Sequence, residues 1–130
     1  MAQKPIELIL MRQLASSLVM PIFLVDTSGT LVYYNEPAEQ ILGVRFDEIG
    51  EMLASEWTTR WKPSDAEGVP LVPERQPLTI ALEQSRPAHG ELWIRGSDGR
   101  RRRIHATAIP LVTVSNRLLG AAAIFWEAPP

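Results

Sequence analysis

The stretch from Pro21 to Gly43 constrains the fold more than any other part of the chain. Ile22-Phe-Leu-Val-Asp26 is a short apolar run, partly β-branched, and reads as a strand buried on both faces. Asp26-Thr-Ser-Gly29 reads as a tight turn, with Gly29 supplying a positive φ. Thr30-Leu-Val-Tyr-Tyr34 is the returning strand. Asn35 has the chemistry of a helix N-cap, because its side-chain oxygen can accept a free first-turn N–H. Glu36 suits the positive helix end, Pro37 is tolerated in the first turn, and Gly43 suits the exit. The hairpin thus feeds directly into a capped helix, Glu36–Leu42.

The flanks complete the pattern. Ile6, Ile9, Leu10, Leu14 and Leu18 fall at three- and four-residue spacing, so Ile6–Val19 reads as a helix, with Pro5 at its start and Pro21 beyond its end. Leu8 and Met11 widen its apolar surface beyond one face. Phe46–Leu53 reads as a short helix and residues 55–76 as irregular, since Pro63, Gly68, Pro70 and Pro73 forbid long regular structure. Pro77–Gln84 reads as a helix. Gly90–Arg95 and Arg102–Pro110 read as strands around the Asp98-Gly99 turn, and Leu118–Trp126 as the last strand. Along that strand, alternation puts Ala121 and Ala123 on one face and Ala122 and Ile124 on the other. The order β-β-α-α-α-β-β-β gives an α+β domain, an antiparallel sheet with helices on one face.

Composition removes several function classes. The 130 residues include no Cys, so disulfides, thiolate catalysis and Cys-held metals or clusters are excluded. Lys plus Arg is 13 and Asp plus Glu 15, a net charge of −2, which argues against a general nucleic-acid binder. Arg100–Arg103 beside a hairpin turn reads as solvent-facing charge that resists edge pairing, with an acidic protein as its better partner. No apolar run approaches the ~20 residues of a membrane span, and no signal peptide opens the chain, so membrane insertion is not expected and a cytoplasmic location is. No nucleophile motif surrounds Ser16, Ser17 or Ser115, and the chain is not expected to be an enzyme. His89 and His105 stand sixteen residues apart without a metal-ligand pattern, and both read as loop-edge or sheet residues.

Three local patterns resemble the PAS sensor family. The first is Ile22-Phe-Leu-Val-Asp26-Thr-Ser-Gly29 through Asn35 to Gly43. The second is Gly68-Val-Pro-Leu-Val-Pro-Glu-Arg-Gln-Pro77-Leu-Thr-Ile-Ala-Leu82. The third is Asp98-Gly99 with Ile104-His-Ala-Thr-Ala-Ile-Pro110-Leu and Leu119-Gly120-Ala-Ala-Ala-Ile-Phe. The resemblance implies a five-stranded antiparallel sheet as one wall of a pocket, middle helices as the other, and an N-terminal capping helix. The expected division is an amphipathic helix at 1–20, a PAS domain at 21–127 and a tail at 128–130.

The family resemblance also implies a sensory or signalling module. An apolar or amphiphilic ligand would sit between the sheet and residues 46–84, and a signal would pass by homodimerisation or to a partner protein in trans. The alternative is a ligand-free dimerisation or docking domain. The covalent flavin chemistry of light-sensing relatives is excluded by the absent Cys. Haem is disfavoured, because the helix before the third strand lacks a His to serve as axial ligand. Non-covalent flavin has no signature, and the cofactor is left unassigned. From alternation and resemblance, the expected pocket residues are Phe23, Tyr33, Ile41, Leu53, Trp57, Leu78, Leu82, Trp93, Ile104 and Ala121. Ile6, Ile9, Leu10, Leu14 and Leu18 are the expected dimer surface. Where the family often ends in an Asp-Ile-Thr-like motif leading to a coiled coil, this chain has Phe125-Trp-Glu127-Ala-Pro-Pro130, whose prolines would stop a helix.

Overall fold

A computed structural model describes residues 5–129; residues 1–4 of the expected first unit and Pro130 of the expected tail lie outside the described residues. The strands are β1 (Ile22–Asp26), β2 (Leu31–Tyr34), β3 (Ala88–Arg95), β4 (Arg101–Val112) and β5 (Leu118–Glu127). They form one antiparallel sheet in the order β2-β1-β5-β4-β3. The helices are α1 (Ile6–Ser16), α2 (Glu36–Leu42), α3 (Phe46–Ile49), α4 (Ala54–Trp61) and α5 (Pro77–Gln84), with a 3₁₀ turn at Pro73–Arg75.

The sheet is buried on both sides at β1 and the middle of β5, where alternation decides which residue goes where. Phe23, Val25, Ala121, Ala123 and Phe125 face the larger core with α2–α5. Ile22, Leu24 and Ala122 face a smaller core completed by Leu8 and Ala15 of α1. The first helix therefore covers the opposite face from the other helices. Gly120 has a different reason from its small neighbours. A Cβ there would strike the carbonyl oxygen of Val25, so its missing side chain lets β1 and β5 pair rather than opening space above the sheet.

Three departures from the sequence reading concern the helices. The first helix stops at Ser16, not Val19, because the N–H groups of Ser17 and Leu18 close tight bonds to Leu14 and Ala15. The Ser16 hydroxyl also donates to the Gln13 carbonyl at 2.7 Å, an alternative to continuing the helix. The third helix ends at Ile49, where Gly50 takes φ 68°, and Met52 pairs instead with Leu31. Within the stretch expected to be irregular, α4 forms because Leu53 starts it and the Glu56 side chain reaches back to accept the Leu53 N–H at 2.9 Å.

The arginine run is also reassigned. Arg102 is buried, and its guanidinium holds Asp98 through two bonds of 3.1 and 2.8 Å, with Glu127 at 3.5 Å. The Asp98–Arg102 pair ties the hairpin turn to its own strand. Arg103 donates to the Pro129 carbonyl and Arg101 to the carbonyls of Asp65 and Ala66, so these side chains fasten the chain to itself. The Arg102 hydrogen bonds hold the Asp98 carboxyl far below the usual carboxylate range. A depressed folded pKa gives stability that is present above the unfolded value near ~3.9 and lost as pH falls below it. The expected result is a fall in the urea midpoint between pH 5 and pH 3 that is smaller in Asp98→Asn than in the parent. Equal falls in the two proteins would show that this pair does not set acid stability.

Candidate functional site

Between the sheet and helices α4 and α5 lies a cavity of about 80 Å³, walled by Phe23, Trp57, Trp61, Leu92, Ile104, Ala106 and Phe125 among others. Its apolar character is built by hydrogen bonds that turn polar atoms away. The Trp57 Nε1–H donates to the Gly29 carbonyl at 2.9 Å, and the Trp61 Nε1–H to the Leu42 carbonyl at 3.1 Å. Each indole thus spends its polar handle on a backbone oxygen and offers only ring surface to the cavity. Phe23 meets both rings edge-on, at centroid distances of 5.1 and 6.0 Å. The first of these bonds also pins α4 to the β1–β2 turn. Next to this wall, burial raises the Tyr34 phenol well above its ordinary value, and its hydroxyl donates to the Val44 carbonyl at 2.7 Å.

No ionisable group stands in this wall, and its one side-chain amide, Gln76, donates Nε2 to the Leu71 carbonyl. The cavity can bind an apolar group by removing it from water. It holds neither a nucleophile nor a general base.

The structure brings together four of the expected pocket residues, Phe23, Trp57, Leu78 and Ile104. Ile41 and Ala121 are buried in the same core but do not reach the cavity, and neither does Leu82, which is partly buried and packed against that core. Three expectations are corrected. Tyr33 pairs opposite Leu24 and lies under the Arg12 guanidinium at 4.7 Å; the core-facing tyrosine is Tyr34, opposite Phe23. Two adjacent tyrosines differ by one step of a period-two pattern, so a single-residue slip exchanges their faces. Trp93 sits between the cavity residues Leu92 and Ile94 and therefore points the other way, with the Arg101 guanidinium 5.4 Å from its ring. Leu53 starts α4 and is 58% exposed.

Signals for several of the missed wall residues were present. Trp61 follows Trp57 by one helical turn. Ala123 and Phe125 follow Ala121 by alternation along β5, whereas Leu92 is placed by its pairing opposite Ile104, which the sequence does not record. His89 and His105 stand on the other side of the sheet, their rings stacked at 6.0 Å. His89 Nδ1 is 2.8 Å from the Thr107 hydroxyl, and His105 lies 3.7 Å from Glu91. Neither can serve as an axial ligand inside the cavity. With about 80 Å³ of room and one amide in the wall, the cavity fits neither a haem nor a flavin ring system, whose sites fall in the ~300–1,000 Å³ range of ligand pockets. Among the described residues no helix is long and apolar enough to cross a membrane.

Five strands in this order, with helices enclosing a small apolar cavity on one side, define a PAS fold. The chain belongs to the PAS family, whose model, described as PAS fold, matches residues 9–126. Solved structures agree in architecture at low identity. A LOV protein of Rhodobacter sphaeroides is 15% identical with a TM-score of 0.75, over 96% of this chain and 69% of that one. The PAS domain of nitrogen regulation protein NR(II) from Vibrio parahaemolyticus is 17% identical with a TM-score of 0.66, over 92% and 98% of the two chains. The PAS domain of Bordetella pertussis BvgS is 17% identical with a TM-score of 0.59, over 95% and 87%. No curated protein sequence matches the chain.

Proposed function

We propose that this domain is a sensor for a small apolar or amphiphilic ligand, signalling through a homodimer built on α1. The observation that carries the reading is the cavity, whose two indole N–H groups are both bonded to backbone carbonyls and whose wall is free of charge. PAS domains are sensory and signalling modules, and the likeness to a domain of a nitrogen regulation protein fits that role.

The path from ligand to surface is short. Phe23 walls the cavity, while its chain neighbours Ile22 and Leu24 contact the core beneath α1. Ala123 and Ala122 divide in the same way on β5. A shift of either strand moves both faces, and a ligand drives it only by binding one arrangement better than the other. On the outer side of α1, Ile6, Ile9, Leu10 and Leu14 are exposed, and so is Leu18 just beyond its end. A second copy of this chain fits that surface, because one apolar stripe packs against its own image across a two-fold axis. The small cavity volume favours the alternative, a dimerisation domain that carries no ligand.

Native mass spectrometry and organic extraction of the purified protein separate the two. A bound small molecule is expected, displaced by Ala106→Leu, which places three further carbons in the cavity. That variant keeps or raises the melting temperature and weakens ligand binding at least tenfold, since filling a void adds contacts. An empty protein that binds no small apolar molecule would leave only the dimerisation role.

A further inference from the structure

Outside the apolar cavity lies a wider cleft of about 650 Å³, between α4, the 62–76 loop and the β3–β4 hairpin. Pro63, Gln76 and Ile94 belong to both walls, so the inner space adjoins the outer across these three residues. The two compartments differ in chemistry. The outer wall carries Lys62, Arg95 and Arg101, and no carboxylate.

None of these three cations is ion-paired among the described residues. Asp65 is near in sequence, yet its carboxylate turns into its own loop and accepts the N–H groups of Glu67 and Val69, both at 2.9 Å. Arg95 donates Nη1 to the Gly99 carbonyl, and Arg101 donates Nη2 to the Asp65 and Ala66 carbonyls. Both guanidiniums are held in place, and neither charge is neutralised. The Lys62 ammonium has no protein partner among the described residues. Its backbone sits at φ 48°, in the left-handed region that favours glycine at a helix end. Lys62 thus brings an unpaired charge to a wall that it shares with two unneutralised arginines, and an anion placed there gains from all three.

We propose that the two compartments together bind an amphiphile with an anionic head, resting on the ligand-sensing reading above. The head lies in the cleft of Lys62, Arg95 and Arg101, and the chain passes Gln76 into the space against Trp57 and Trp61. The inner volume of about 80 Å³ corresponds to roughly five to eight water-sized positions, which sets the length of the apolar part.

Calorimetric titration with octanoate, octanamide and octylammonium tests the proposal, since the three differ chiefly in head-group charge. Octanoate is expected to bind about tenfold tighter than octanamide, with octylammonium weakest, and high salt narrows the gap. Lys62→Gln lowers octanoate affinity by about threefold or more and leaves octanamide unchanged. Lys62→Gly does the same while the melting temperature holds or rises, because glycine suits the left-handed position. Equal binding of octanoate and octanamide overturns the anionic head but keeps the ligand-sensing reading. A preference for octanoate that survives in both Lys62 variants, Arg95→Gln and Arg101→Gln overturns the placement of the head in this cleft. Binding of none of the three at millimolar concentration overturns both.

Discussion

Asn35→Ala lowers the unfolding free energy by about 3–5 kcal/mol, one of the two largest effects expected in this domain. The side chain is fully buried and uses all of its main hydrogen-bonding positions. Its Oδ1 accepts the N–H of Ile22 at 3.0 Å and of Ala38 at 3.3 Å. Its Nδ2 donates to the carbonyls of Ala15 at 2.9 Å and Met20 at 2.7 Å. One amide thus joins the end of α1, the connection to β1, the first residue of β1 and the first turn of α2. Alanine strands the N–H groups of Ile22 and Ala38 and the carbonyl of Met20, while the Ala15 carbonyl keeps the Leu18 N–H; each buried group left unpaired costs about 1–3 kcal/mol. The expected loss in melting temperature is roughly 10–20 °C for a domain of this size. A change below about 1 kcal/mol in urea denaturation would show that water or a local shift replaces the four bonds.

Asn35→Asp separates the two halves of that role. The carboxylate keeps the bonds from Ile22 and Ala38 but sets negative oxygen against the carbonyls of Ala15 and Met20. Amide exchange in α1 is expected to accelerate more than exchange in the sheet. Burial and facing carbonyls raise the pKa of the introduced acid. Lowering the pH through that raised value therefore restores part of the loss, since the protonated acid regains one donor.

The cap role of Asn35 was legible in the sequence, but its two bonds to the α1 end were not. A cap pairs residues three apart, and local chemistry suffices to see it. The bonds to Ala15 and Met20 depend on where α1 docks, which no local pattern records. The same division runs through the site. Alternation placed Phe23 and Ile104 on the cavity side, and helical spacing singled out Trp57. It failed at Tyr33 and Trp93, each one residue away from a correctly facing neighbour, because phase along a strand is fixed only by pairing. The Arg100–Arg103 run misled for a related reason. Arginine is usually exposed, and only the fold brings Asp98 and Glu127 to Arg102.

The first helix offers the sharpest separation of fold from assembly. Its residues divide onto two opposite sides. Leu8 and Ala15 are 2% and 0% exposed against the sheet, whereas Leu10 and Leu14 are 56% and 54% exposed. Leu10→Glu with Leu14→Glu is therefore expected to leave the monomer folded, because in one copy those side chains pack against little. In the proposed dimer the same pair puts four carboxylates into an apolar contact. Each buried leucine contributes about 1.5–3 kcal/mol, so the dimer dissociation constant should rise by at least ~10³-fold. Sedimentation at micromolar concentration should show a dimer for the parent and a monomer for the double variant, with unchanged circular dichroism. Leu8→Glu is the counter-experiment. It buries a charge under the sheet and should cost several kcal/mol of stability whatever the assembly state. A dimer that persists in the Leu10, Leu14 variant would move the interface off α1. Signalling through α1 would then lose its basis, since a shift of β1 and β5 would have no partner to reach.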